Sequence, residues 1–134
     1  MTARETVYAL LTTDEQLINL GIHADTVWNI EAVDNPERGK PFLVTAWGTT
    51  PRPPFQAARS RELTVWAHDE GADYLRIDAI LERVRQLLEG LTDQGGITQV
   101  DWEGASGDLY DGGFRTITRN FGFRVIGADG RERT

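Results

Sequence analysis

The sequence predicts an α+β domain, with one mainly antiparallel sheet of about four to five strands packed on a long helix. Residues 70–90 place apolar side chains at helical spacing, which predicts the long helix. Residues 42–48 and 61–68 alternate with period two, which predicts two strands joined by a long hairpin loop. The length of 134 residues fits a single domain spanning residues 1–134.

The composition disfavours several classes of function. The chain contains no cysteine, so disulfides, thiolate zinc sites and a cysteine nucleophile are excluded. A net charge of −7 disfavours equilibrium binding to nucleic acid, because phosphate groups favour a basic surplus. The sequence contains no run of 18 apolar residues, so it predicts no membrane span. The N-terminus lacks the continuous apolar segment of a signal peptide.

The N-terminal region, residues 2–21, is predicted to be helical with one break. Thr13 and Gln16 match a capping box, which predicts that a second short helix starts there. Gly21 fits the end of this region, because glycine is favoured just after a helix. The β-rich stretch 26–33 then predicts a short strand.

The two hairpin strands each have two distinct faces. We predict that Thr45 lies opposite Thr64, which places Trp47 and Trp66 together on the side away from the apolar rows. Exposed tryptophans are costly on a free surface, so this side either contacts a partner or is covered by the N-terminal helices. The apolar rows comprise Phe42, Val44, Ala46, Leu63, Val65 and Ala67.

The connection at residues 49–60 contains three prolines, which cannot extend the hairpin. A loop of this length is uncommon unless it is disordered or used for binding. We therefore expect it to contact a neighbouring protein, together with the two hairpin tryptophans. The predicted interface residues are Arg52, Pro53, Pro54, Phe55, Arg59, Trp47 and Trp66.

The C-terminal part is predicted to form two more strands, at 97–103 and 114–126, joined by a Gly- and Asp-rich loop at 104–113. The tail, residues 127–134, is predicted to be flexible. In the last strand four apolar residues fall on one face, namely Ile117, Phe121, Phe123 and Val125.

The segment HDEGAD, after the second hairpin strand, is the best candidate for chemistry. A metal-dependent hydrolase or nuclease would need His68, Asp69 and Asp73 to converge, with Asp101 as a further ligand. The structural alternative is that Asp69 is the helix cap, while Glu70 and Asp73 favour the positive end of the helix dipole. Acidic residues are expected in a first helical turn, which favours the structural interpretation.

No other segment predicts an active site. Residues 101–113 are rich in acidic side chains but lack the spacing of a calcium loop. Ser60 and Ser106 do not lie in a nucleophile-elbow pattern. We therefore expect no catalytic residue, no metal ligand and no cofactor.

The linear arrangement resembles the tail-terminator, or tail-completion, proteins of long non-contractile-tailed phages and the related small head–tail joining proteins. The resemblance extends from YALLTTDEQLINLGI to RNFGFRVI. It lies in the order of the elements and in VWAHDEGAD, where a strand turns directly into a long helix. The three-proline loop has no counterpart in that pattern.

The resemblance implies a structural virion protein and not an enzyme. Such a protein forms a homohexameric ring at the head-proximal end of the tail, terminates tail-tube polymerisation and provides the docking surface for the head connector. Its partners would be further copies of itself, the tail-tube protein and a head-completion or connector protein, with no membrane. DNA would pass through without specific binding, at the head–tail junction of a virion assembled in the host cytoplasm. A different neck or tail-tube ring component is the nearest alternative.

Overall fold

The computed structural model describes residues 2–30, 33, 36–48, 59–71 and 73–127. These residues form three α-helices and seven strands, and the arrangement confirms the predicted α+β fold class. Most of the predicted hairpin loop and nearly all of the predicted tail lie outside the described residues. None of the helices in the described part combines the length and apolar character that crossing a membrane requires.

The elements follow the predicted order, with two additional short strands, β4 and β6. The helices are α1 (Ala3–Thr13), α2 (Glu15–Asn19) and α3 (Leu75–Leu88). The strands are β1 (Val27–Asn29), β2 (Phe42–Trp47), β3 (Arg59–Asp69), β4 (Thr92–Gln94), β5 (Ile97–Ala105), β6 (Leu109–Asp111) and β7 (Thr116–Gly127).

All described strands belong to one sheet with the order β1-β2-β3-β7-β5-β4, and β6 pairs with β7 beyond the end of β5. Every pairing is antiparallel except that of β1 with β2. β3 pairs with β7 over its whole length, from Arg59 opposite Gly127 to Asp69 opposite Ile117. The other strands pair on either side of these two, β2 with β3, and β5 and β6 with β7.

The three helices pack on one face of the sheet, which we call the inner face. Burial of each large apolar side chain there contributes roughly 1.5–3 kcal/mol relative to an exposed position. The predicted apolar row of β7 lies on this face, as expected. The buried residues at the centre of this core include Leu43, Leu63, Val65, Ala67, Ile77, Leu81, Val84, Phe121, Phe123 and Val125.

The break between α1 and α2 is stabilised by Asp14 and not by the predicted Thr13 and Gln16 pair. The Asp14 carboxylate accepts a hydrogen bond from the Leu17 backbone N–H at 3.0 Å and caps α2. It also accepts two hydrogen bonds from Arg83 on α3, at 2.9 and 2.8 Å. The Arg83 guanidinium lowers the pKa of Asp14, so one side chain caps α2 and links it to α3.

The hairpin register differs from the prediction by one residue. Thr45 lies opposite Val65, and Val44 lies opposite Trp66. The shift places Trp47 on the inner face and Trp66 on the opposite, outer face, so the two tryptophans do not share a surface. The physical reason is that β2 is buried on both sides from Phe42 to Thr45, so its alternation does not distinguish the core face.

Candidate functional site

His68 lies on the outer face in a small aromatic cluster. Its ring stacks on Phe42 with centroids 4.6 Å apart and meets Phe114 edge-on at 5.5 Å. The His68 Nδ1 atom is 2.7 Å from the Thr116 hydroxyl oxygen. Burial lowers the pKa of His68 to about 4, with Asp111 acting weakly in the opposite direction. The imidazole is therefore neutral at pH 7 and packs as an aromatic side chain.

Asp69 does not cap the helix, which corrects the prediction. It is the last residue of β3, whereas α3 begins at Leu75. The Asp69 carboxylate accepts two hydrogen bonds from Arg76, both at 2.7 Å, and one from the Glu70 backbone N–H at 2.9 Å. Because Asp69 is 96% buried, this pairing satisfies a carboxylate that would otherwise be costly to desolvate.

The predicted metal ligands do not converge. His68 and Asp69 are consecutive strand residues, so their side chains project to opposite faces of the sheet. Asp73 is exposed, and its carboxylate accepts a hydrogen bond from the Leu75 backbone N–H at 2.8 Å. Within the described ranges, no three acidic or histidine side chains lie close enough to share a metal ion. The geometry therefore does not support the hydrolase or nuclease alternative.

The acidic side chains of residues 101–113 are dispersed among separate partners. Asp101 accepts a hydrogen bond from Gln99, and Asp111 accepts one from the Phe114 backbone N–H. Glu103 pairs with Arg124 and also hydrogen-bonds the Glu62 carboxyl, which raises the pKa of Glu62. The Asp101 and Asp111 contacts are local, whereas those of Glu103 reach other strands, so the acidic side chains do not converge on one cation.

A groove of about 310 Å³ lies between α1 and the inner face of β1 and β2. Trp47 forms part of its wall, with the guanidinium of Arg4 5.6 Å and that of Arg61 5.1 Å from the ring centroid. The N-terminal helix thus covers one of the two predicted interface tryptophans in part, and its ring remains half-buried. The groove is lined by Arg4, Glu5, Val7, Tyr8, Leu11, Val27, Asn29, Thr45 and Trp47.

The second predicted interface tryptophan belongs to a row across the outer face. Trp28 and Trp66 are the two cross-strand neighbours of Val44, and both are half-buried. The Trp28 indole nitrogen is buried without a hydrogen-bond partner among the described residues. An indole N–H that is buried without an acceptor costs free energy, so this row of apolar side chains also contains an unsatisfied polar group.

A surface that sequence reasoning missed lies where β6 approaches the start of α3, and we call it the β6 patch. The Tyr74 hydroxyl donates a hydrogen bond to the Leu109 carbonyl oxygen at 2.8 Å and joins the two segments. Leu75, Leu109 and Tyr110 beside this bond are 73%, 45% and 66% exposed. The only sequence signal was the apolar pair Leu109 and Tyr110 within a Gly- and Asp-rich stretch.

The predicted loop residues Arg52, Pro53, Pro54 and Phe55 lie outside the described residues. Arg59 begins β3 opposite Gly127. The described residues that flank the loop are joined by a hydrogen bond from the Gly48 N–H to the Glu62 carbonyl at 2.7 Å. The role of the loop residues stays a prediction.

No protein-family model and no curated protein matches the chain. A solved structure described as "Virion of native gene transfer agent (GTA) particle" contains a chain with a similar fold, with a TM-score of 0.70. The match covers 94% of this chain and 94% of that chain, at 15% sequence identity. The two chains therefore share the arrangement of helices and strands over nearly their whole length.

Proposed function

We propose that the chain is a structural protein of a phage-like particle that forms a ring at the head-proximal end of the tail. The ring would terminate tail-tube polymerisation and provide the docking surface for the head connector. The observation that supports this proposal most is the fold shared with a chain of the gene transfer agent virion over 94% of both chains. The sequence resemblance to tail-terminator proteins points to the same role.

The described residues support a structural role more than a catalytic one. His68 is a buried neutral aromatic side chain, and Asp69 is held by Arg76. Three of the six exposed large apolar side chains of the described residues, Ile30, Leu109 and Tyr110, lie at sheet edges, where a neighbouring copy could cover them. A closed ring needs contacts of this kind between two different surfaces of each copy.

The partners we propose are further copies of the chain in a hexamer, the tail-tube protein and a head-completion or connector protein. The loop residues Arg52 to Phe55 and Arg59 are proposed to reach a neighbour, and Trp66 to contribute from the outer face. The net charge of −7 suits a ring through which DNA passes without being held. The protein would act at the head–tail junction of a virion after assembly in the host cytoplasm.

Native mass spectrometry of the purified chain, alone and with tail-tube protein, tests this proposal. We expect closed rings with a mass that is a fixed multiple of 15.0 kDa, and negative-stain images with rotational symmetry. A strict monomer in both conditions would contradict the proposal. A reconstruction of the virion that places the chain within the tube or elsewhere in the neck would replace the terminator role with that of another ring component.

A further inference from the structure

In the part of the chain that the structure describes, two strands at the same end of the sheet, β1 and β6, have a neighbour on one side only. Among the described residues, β1 pairs only with β2, and β6 pairs only with β7. At this end the strands lie in the order β1, β2, β3, β7 and β6. With a strand spacing of about 4.8 Å, the two edges lie roughly 19 Å apart. Each edge presents backbone groups that a further strand could pair with.

Both edges also carry exposed apolar side chains. The β1 edge has the groove beneath α1, with Tyr8 45% exposed at its wall, and Ile30 53% exposed just after the strand. The β6 edge has the β6 patch, in which Leu75 and Tyr110 are the most exposed large apolar residues of the described chain. One edge offers a groove and the other offers exposed side chains that can enter it, so the two surfaces differ as the two halves of a head-to-tail contact must.

The strand directions are compatible with this contact. β1 is parallel to β2, and three antiparallel pairings separate β2 from β6, so β6 runs opposite to β1. A rotation that relates two copies in a ring preserves the direction of each strand along the ring axis. In a ring whose strands run along its axis, the β6 strand of one copy would therefore meet the β1 strand of the next copy in antiparallel orientation.

The side-chain faces of the two edges also match. Tyr110 lies opposite Ile117 and so projects on the helix-covered face, the same face on which the groove lies beside β1. The groove offers apolar walls at Val27 and polar groups at Asn29 that a tyrosine side chain can contact. Asp108 beside the patch pairs with Arg119 at 3.8 Å, and the groove is lined by both Arg4 and Glu5, so the contact would rest on the apolar side chains and the strand edges and not on charge.

We propose that the β6 patch of one copy docks into the α1–β1 groove of the next copy, and that this is the head-to-tail contact of the ring. The inference rests on the proposed ring function and names the two surfaces that form it. The occupant of the α1–β1 groove is a second copy of the same chain. The contact would bury Tyr110 and Leu75, which are otherwise the most exposed large apolar side chains described.

Two variants and a control test the contact. Tyr110→Glu disables the patch and leaves the groove intact, whereas Tyr8→Glu disables the groove and leaves the patch intact. Ile18→Glu is the matched control, because Ile18 is also 45% exposed but lies on α2 outside both surfaces. Thermal melting verifies that each variant folds. Leu75→Glu and Arg4→Glu replace the first two variants if either fails to fold.

The decisive measurement is the mass of the complexes, under the conditions in which the wild-type chain forms rings. Each disabled variant alone should be monomeric, and Ile18→Glu should form rings. An equal mixture of the two disabled variants should form a dimer and nothing larger, because one intact groove meets one intact patch. Rings from either folded variant, or a mixture that stays monomeric, would overturn the proposal. A wild-type chain that never forms rings would instead refute the ring function itself.

Discussion

At the residue scale, the environment of His68 decides what this side chain does. The sequence places it beside three acidic residues, which is typical of a metal or acid–base site. In the structure it is 96% buried, stacks on Phe42 and contacts the Thr116 hydroxyl, while Asp69 faces the other side of the sheet. Burial disfavours the protonated ring, so His68 contributes packing and a pH dependence of stability.

His68 should make the protein less stable as the pH falls from about 6.5 to about 4. Its pKa is about 4 in the folded chain, against an ordinary value of 6.5. Between these values the unfolded chain binds the extra proton and the folded chain does not, so unfolding becomes more favourable as the pH falls. The shift corresponds to about 3 kcal/mol of unfolding free energy, lost progressively over this range.

Urea unfolding between pH 6.5 and 5, above the ordinary range of most carboxylates, measures this effect. His68→Gln cannot titrate and keeps an amide that can contact the Thr116 hydroxyl, so its stability should vary less with pH than that of the wild type. His23→Gln, which replaces the half-buried histidine outside the cluster, is the matched control. An equal pH slope in His68→Gln and the wild type would show that His68 does not cause it.

At the scale of elements, the end of α2 shows how one residue fixes the path of the chain. The Gly21 N–H donates to the Ile18 carbonyl at 3.0 Å, and the Ile22 N–H donates to the Leu17 carbonyl at 2.8 Å. This paired pattern is the Schellman motif, and it needs a residue with positive φ. Gly21 has φ of 101° and directs the chain from α2 towards β1.

Gly21→Ala should lower the unfolding free energy more than Gly39→Ala does. Both glycines have positive φ, which costs an alanine about 1–2 kcal/mol. A Cβ atom on Gly21 would also lie 2.9 Å from Cγ of Pro41, whereas one on Gly39 would have no atom within 4 Å. We expect at least about 1 kcal/mol more destabilisation at Gly21, from the added overpacking, in urea unfolding. Equal losses would mean that Pro41 moves aside freely.

At the scale of the whole molecule, the strand order determines which surfaces are available for assembly. In the strand order β1, β2, β3, β7 and β6, the strands β1 and β6 are the outermost, and so they form the two edges. The apolar groove and the β6 patch therefore lie at opposite edges of the sheet and on the same helix-covered face, as the proposed head-to-tail contact requires. The chain also carries an acidic surplus, with 21 acidic and 14 basic residues.

The protein, alone or in the proposed ring, should not bind duplex DNA at physiological salt. Nucleic-acid affinity comes mainly from neutralising phosphates, and a net charge of −7 opposes it. In a gel-shift experiment, DNA should migrate alike with and without the wild-type protein. A retarded band that weakens steeply as salt is raised would reveal a basic channel surface and contradict the idea of a non-binding conduit.

The sequence by itself determined the number and order of the main elements and much of the core. The apolar spacing of α3 and the row Ile117, Phe121, Phe123 and Val125 are local patterns, and the structure confirms both. Local spacing is sufficient there because each element has one clearly apolar face. The predicted helix began five residues too early, because an acidic segment typical of a first turn instead joins β3 to α3.

Only the tertiary structure decided the hairpin register, and with it the positions of Trp47 and Trp66. β2 is buried on both faces over four residues, and the long connection to β3 does not fix the pairing as a tight turn would. The exposure of Tyr110 likewise depends on which strands become neighbours. Sequence patterns specify elements and their faces, whereas a surface that joins distant segments exists only after the sheet has assembled.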